Sequence, residues 1–156
     1  MRNIRYLSIA IMVLGVIVFL LGGIFTVLAL QKNDYVTSSL RAQKLTLGLS
    51  KEQVAQGKLV DNMESVMVAS GVLDQHLKNI APTYSDLMAT NKGGKYDPTD
   101  PRNLTYAQGL NLITSLNVAA LSFGVVQAIL ATGLALLIVG IAVGASGFAL
   151  FKLIKP

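Results

Sequence analysis

Few residues in this 156-residue chain have the types and spacing that chemistry requires. There is one histidine, His76, within Asp74-Gln-His-Leu77. The two-histidine, one-carboxylate iron site and the paired-histidine and three-histidine zinc sites need more histidines than one chain of this sequence supplies. His76 falls on the flank of an apolar helical stripe, which predicts a hydrogen-bonded structural role. The alternative is one ligand of a site shared between subunits. Asp97, Asp100 and Asn103 bring oxygens close together in sequence, but calcium takes about six to eight of them. Asp97-Pro-Thr-Asp-Pro101 reads more simply as a turn followed by a helix cap. The chain has no cysteine, so it has no disulfide, thiolate metal site or cysteine nucleophile. Its serines lack a Gly-x-Ser-x-Gly elbow, and no phosphate-binding or dinucleotide loop occurs. Asn103-Leu-Thr105 matches the glycosylation sequon, which matters only in a eukaryotic secretory pathway. The expectation is a protein that is not an enzyme, with no catalytic residue, no cofactor and no metal.

The elements around these residues are more informative. Apolar residues make up 53% of the chain and charged residues 13%, about half the charge of a typical soluble domain. The shortage is local. No charge occurs from Tyr6 to Gln31 or from Asn103 to Phe151. Of the net charge of +5, most comes from Arg2, Arg5, Lys152 and Lys155 at the borders of these runs, and the middle is nearly neutral. No clustered basic face exists, which excludes nucleic acid as a partner.

The two runs predict two transmembrane helices, residues 6–30 and 119–151. Each is long enough for a hydrocarbon core of about 30 Å at about 1.5 Å per residue. The first exceeds the roughly 7–15 residues of a signal-peptide core, so it is expected to act as a signal anchor. Residues 103–118 mix Leu104, Leu110, Ile113 and Leu116 with polar side chains, as an amphipathic stem does. With Asp100 as cap and Pro101 at the first position, one helix of about fifty residues is predicted, roughly 75 Å long. Basic flanks stay in the cytoplasm. Residues 1–5 and 152–156 are therefore read as cytoplasmic tips, and 31–118 as the outer cap and stem, in a bacterial plasma (inner) membrane.

Small residues recur at Ser8, Gly15, Gly22 and Ala29, and again at Gly133, Gly140 and Gly147, in both cases every seventh residue; Gly144 adds a Gly-x-x-x-Gly pair. Seams of this kind let helix backbones approach closely in lipid. They are expected to pair antiparallel, with Gly22 near Gly133 or Gly140, or to face another subunit. Gln127, the strongly polar residue of the second run, is expected to hydrogen-bond to a neighbouring helix.

In the middle segment the first helix is expected to continue towards Leu40. Lys44–Gly48 alternates as an extended segment does. Ser50-Lys-Glu-Gln53 fits a capping box, with a stop at Gly57. Met63, Val66, Ser70, Leu73, Leu77 and Ile80 mark one face of a helix capped by Asp61 or Asn62 and ended at Pro82. Its expected partners are Tyr106, Leu110, Ile113 and Leu116. The predicted class is an all-α membrane protein: an antiparallel two-helix hairpin with a small, mostly helical extracytoplasmic cap.

Several of these features occur together in one known group. His76, Thr83-Tyr-Ser-Asp-Leu87, Asp100-Pro-Arg102 and the run Ser115–Val126 make a chain that resembles two-span membrane proteins of actinobacteria and related bacteria. Those proteins often carry the label aromatic ring-opening dioxygenase. The resemblance spans about residues 40–135. Family members often have Gly-Gly-Lys-Thr-Tyr; here Ala81-Pro82 precedes Thr83-Tyr84, and Gly93-Gly-Lys-Tyr96 comes later. Ring-opening dioxygenases hold iron with side chains this sequence lacks, so no catalytic role carries over. The resemblance implies a bacterial envelope protein. The leading expectation is an accessory or scaffold subunit of a larger membrane complex, respiratory or photosynthetic, with other integral membrane subunits or further copies of itself as partners. The alternatives are an envelope sensor or adaptor that binds through its cap, and a small oligomeric channel.

Overall fold

The computed structural model describes residues 2–153. Met1 and residues 154–156 lie outside the described residues, and with them part of both expected tips, including Lys155. All regular elements among the described residues are helical: α1 (Arg2–Ala42), α2 (Lys51–Ala55), α3 (Met63–Ile80), α4 (Tyr84–Ala89), a 3₁₀ turn (Lys92–Gly94) and α5 (Pro101–Leu153). Helices α1 and α5 are both long and apolar enough to cross a membrane.

The chain forms two compact units, one from the described parts of Met1–Asp34 and Val125–Pro156, the other from Tyr35–Gly124. In the first unit the usual order of burial is reversed. Ser8 and Ala29 are 0% and 1% exposed, whereas Ile138 is 69% exposed and Leu20 58%. Only 11% of the most apolar window of each long helix is buried. The core helix of a soluble protein buries its large side chains, so these helices are not of that kind.

The second unit has a conventional core. Val60, Val66, Ala69, Leu116 and Phe123 form one cluster, joined by Val36, Leu40, Leu45 and Met63; Leu77, Ala81, Leu87 and Tyr106 form another, joined by Ile80 and Ile113. Helix α3 thus lies against α5 through Val66, Ala69 and Leu77, with Leu73 half-buried. Leu110, expected in this contact, is instead exposed at 37%. Gly109 takes its place. Leu77 sits so close over Gly109 that a Cβ there would collide with its side chain. The contact face follows the glycine because it admits Leu77.

Helix starts follow local hydrogen bonding. Ser50 accepts from the Gln53 amide, and the Gln53 side chain accepts from the Ser50 amide, so two amides without helical partners are satisfied at once. Beyond α2 the chain reverses at Gly57, whose φ of 74° lies in the left-handed region that favours glycine. Asn62 and Ser65 cap α3 reciprocally. Asp100 Oδ1 accepts from the Arg102 amide at 2.8 Å, which starts α5 at Pro101. The Arg102 guanidinium donates to Ile80 O at 3.0 Å and covers the end of α3. The extended segment expected at Lys44–Gly48 is absent. Leu45 O accepts a single backbone bond, from Val60 N, and no second strand lies beside it to continue a ladder.

Asn62→Ala removes one side of a reciprocal cap, so a loss of about 1 kcal/mol in stability is expected. Circular dichroism during thermal unfolding should show a lower midpoint for Asn62→Ala and little change for Asn62→Asp.

Candidate functional site

Van der Waals contact on one face of each apolar helix defines the most distinctive site. Every seventh residue of α1 from Ser8 to Ala29 is buried, as are Gly133, Gly140 and Gly147 on α5. A Cβ on Gly140 would lie 2.5 Å from Phe19 N, and one on Gly22 would lie 2.6 Å from Leu137 N. One on Gly147 would meet Met12, and one on Gly133 would meet Thr26. Gly15 rests on the backbone of Gly144 and on Gly140 O. Along this series the α5 partner moves back towards the N-terminus as the α1 residue advances. Gly22 therefore faces Gly133 and Leu137, and Gly140 faces Phe19.

Gly144 differs from the others. It offers bare backbone to Gly15, yet nothing lies within 4 Å of where its own Cβ would be. The seam needs a hydrogen there only on the side that Gly15 touches. Spacing alone revealed the glycines but not Met12, Phe19, Thr26 and Leu137, which supply the opposing backbone and bear no signature of their own.

Four hydroxyls in this unit bond back to their own helices. Ser8 Oγ donates to Arg5 O, Thr26 Oγ1 to Gly22 O, Thr132 Oγ1 to Ala128 O and Ser146 Oγ to Ala142 O, at 2.8–2.9 Å. The hydroxyls therefore place no unsatisfied donor on the apolar surface. Gln127 does not form the interhelical bond expected of it; it is exposed and bonds to nothing among the described residues. It lies beyond the last seam contact, of Thr26 with Gly133, towards the charged end of the α1 run at Lys32. At the other end of the unit the Arg5 guanidinium stacks over Phe151 at 5.6 Å, and the Lys152 ammonium over Phe148 at 4.9 Å.

The candidate chemical groups of the second unit do not converge. His76 is exposed and forms no hydrogen bond among the described residues, contrary to the bonded role expected for it. No group of three metal-ligating side chains exists among the described residues. Asp97 Oδ1 accepts from the Thr99 amide and hydroxyl at 2.8 and 2.6 Å, and Asp100 caps α5, so both carboxylates shape the turn. Asn103 is wholly buried, with Nδ2 donating to Asp97 O at 3.2 Å and Oδ1 unpartnered. Its burial also shields the sequon from a glycan in the folded protein.

Among the described residues of this unit, two open cavities stand out. One, of about 750 Å³, includes the Arg41–Asp61 ion pair, 2.7 Å long, together with Gln53, Lys58 and Glu64. The other, of about 490 Å³, is mainly aliphatic, with Val36, Leu40, Leu45, Leu112, Leu116 and Ala119 in its wall.

Leucine at Gly140 or Gly22 must drive the seam apart. Overpacking of this kind costs about 1–3 kcal/mol. In a detergent thermal-shift assay both variants should melt earlier, while Gly23→Leu and Gly144→Ala, where space is open, should not. Equal losses at all four positions would contradict the seam.

The Thr99 hydroxyl and amide hold the Asp97 carboxyl below its usual range. A depressed folded pKa stabilises the turn above the unfolded value, about 3.9. That stabilisation disappears as pH falls through the folded value. Thr99→Val should raise the Asp97 pKa measured by NMR titration towards the ordinary value.

No protein-family model, no curated protein and no solved structure matches this chain.

Proposed function

We propose that this chain is a non-catalytic integral membrane protein that serves as an accessory or scaffold subunit of a larger membrane assembly. The observation that carries this reading is the reversed packing of α1 and α5, with glycine, serine and alanine inside and large aliphatic side chains outside. In water such a surface would drive aggregation. In lipid it is the expected arrangement, because apolar side chains gain nothing by leaving the hydrocarbon and close backbone contact holds the pair.

In this reading α1 and α5 form an antiparallel transmembrane hairpin, and Tyr35–Gly124 is a helical cap on one side. The seam contacts favour a second span displaced along α5 relative to 119–151. Residues 6–30 of α1 fall level with residues 129–153 of α5, and about 20 apolar residues suffice to cross. Gln127 then falls level with Lys32, at the membrane border. The basic residues Arg2, Arg5 and Lys152 favour a cytoplasmic position for both ends of the hairpin. Both seams are used within the hairpin, which leaves the large lipid-facing side chains as the surface on which other membrane subunits, or further copies, would pack. The scarcity of groups able to act as nucleophile, general base or metal ligand supports a non-catalytic role.

The protein should resist extraction by alkaline carbonate. A membrane-impermeant amine reagent applied to intact cells should modify Lys51 and Lys78 but not Lys152. Native mass spectrometry from gentle detergent should show a complex, and a lone monomer under every mild condition would refute the subunit role.

A further inference from the structure

On the reading that α1 and α5 cross the membrane, we propose that the aliphatic cavity of about 490 Å³ takes up one hydrocarbon chain of a bilayer phospholipid. Cavities of this size with mostly apolar walls and a few polar groups accept apolar or amphiphilic ligands. Here Leu40, Leu45, Leu112 and Leu116 make the wall, and the polar groups are few: Tyr35 and Ser39 on α1, and Gln43 in the turn just after it, recur every fourth residue along one edge. The Ser115 hydroxyl is turned to Asn111 O at 2.9 Å, so it offers its proton to the backbone of its own helix and not to the cavity. Walls of this character give water few partners, so an apolar occupant displaces little well-bound water.

The occupant is identified by the approach to the cavity. Val118, in the cavity wall, is 58% exposed, and Leu121, one turn further along α5, is 68% exposed. Helix α5 carries no charge from Asn103 to Phe151, and Val125, one turn beyond Leu121, is exposed as well. Helix α1 does the opposite and turns polar at Gln31, Lys32, Asn33 and Asp34. A soluble ligand would have no need of an apolar path on one helix only. A lipid chain sliding off the bilayer along α5 would meet Val125, Leu121 and Val118 in turn. Its exchange between bilayer and cavity replaces one apolar surround by another, so occupancy is reversible.

The chain has no tryptophan, so single tryptophans introduced into the full-length protein report cleanly. Each variant is reconstituted in vesicles of phosphatidylcholine brominated on its acyl chains, which quench a tryptophan on contact. Leu112→Trp in the wall should lose most of its emission, as should Gln43→Trp, which is exposed and keeps the test valid if Leu112→Trp fails to fold. Leu110→Trp, two residues from Leu112 but outside the cavity, should keep its emission. Ile138→Trp, on the apolar surface of α5, should be quenched simply because it lies in the bilayer. Quenching at Ile138 without quenching at either cavity position overturns the proposal alone. Equal quenching at Leu110 and Leu112 overturns it as well, since the bilayer would then reach both without a cavity. No quenching at Ile138 overturns the membrane reading and the proposal with it.

Discussion

The structure depends on how closely two helix backbones can approach. At the seam, the backbone of Phe19 occupies the space where a side chain on Gly140 would begin, and the backbone of Leu137 does the same at Gly22. Dispersion attraction is short-ranged, so it contributes only when atoms touch along a continuous line. A heptad of small residues supplies that line, because the same face returns every two turns. The inner faces are filled by backbone, and the large side chains are left to the outside. The reversed burial of this unit therefore follows directly from the seam, and the apolar exterior follows from the reversed burial.

The second unit obeys the ordinary rule. Val60, Val66, Leu87 and Leu116 are inside, and charges are outside. Caps and single tethers add to this core. Arg41 holds Asp61, Arg102 holds the end of α3, and Ser70 donates to Asn117 at 2.9 Å. With no cysteine available, such contacts fix short helices that would be marginal alone. Most of these groups are exposed, so each contributes modestly, and their value lies in positioning.

Much of this was legible in the sequence because it rests on local rules. Uncharged length exposes a long apolar helix, Ser50 and Gln53 expose a cap, and the recurrence of Gly15 and Gly22 exposes a seam face. The features that were not legible depend on a partner that the local pattern does not contain. Leu110 has the right character and spacing for the α3 contact, but Gly109 wins because it removes a side chain where Leu77 arrives. Asn103 looks like one more polar residue of the stem until the turn at Asp97 closes over it. His76 and Gln127 invite bonded roles by their chemistry, and the fold leaves both facing outward. The aliphatic cavity joins residues 35–45 to 112–119, far apart in sequence, and the polar one is folded from residues 41–68; neither has a composition of its own to announce it.

The meeting of Leu77 with Gly109 has an evolutionary consequence. The two positions share one volume, since the side chain absent from α5 is replaced by the one projecting from α3. A change at either one then alters the space open to the other. A larger residue at 109 requires the Leu77 side chain to swing aside or to shrink, so divergent descendants of this chain should favour paired changes that conserve total bulk across the two positions.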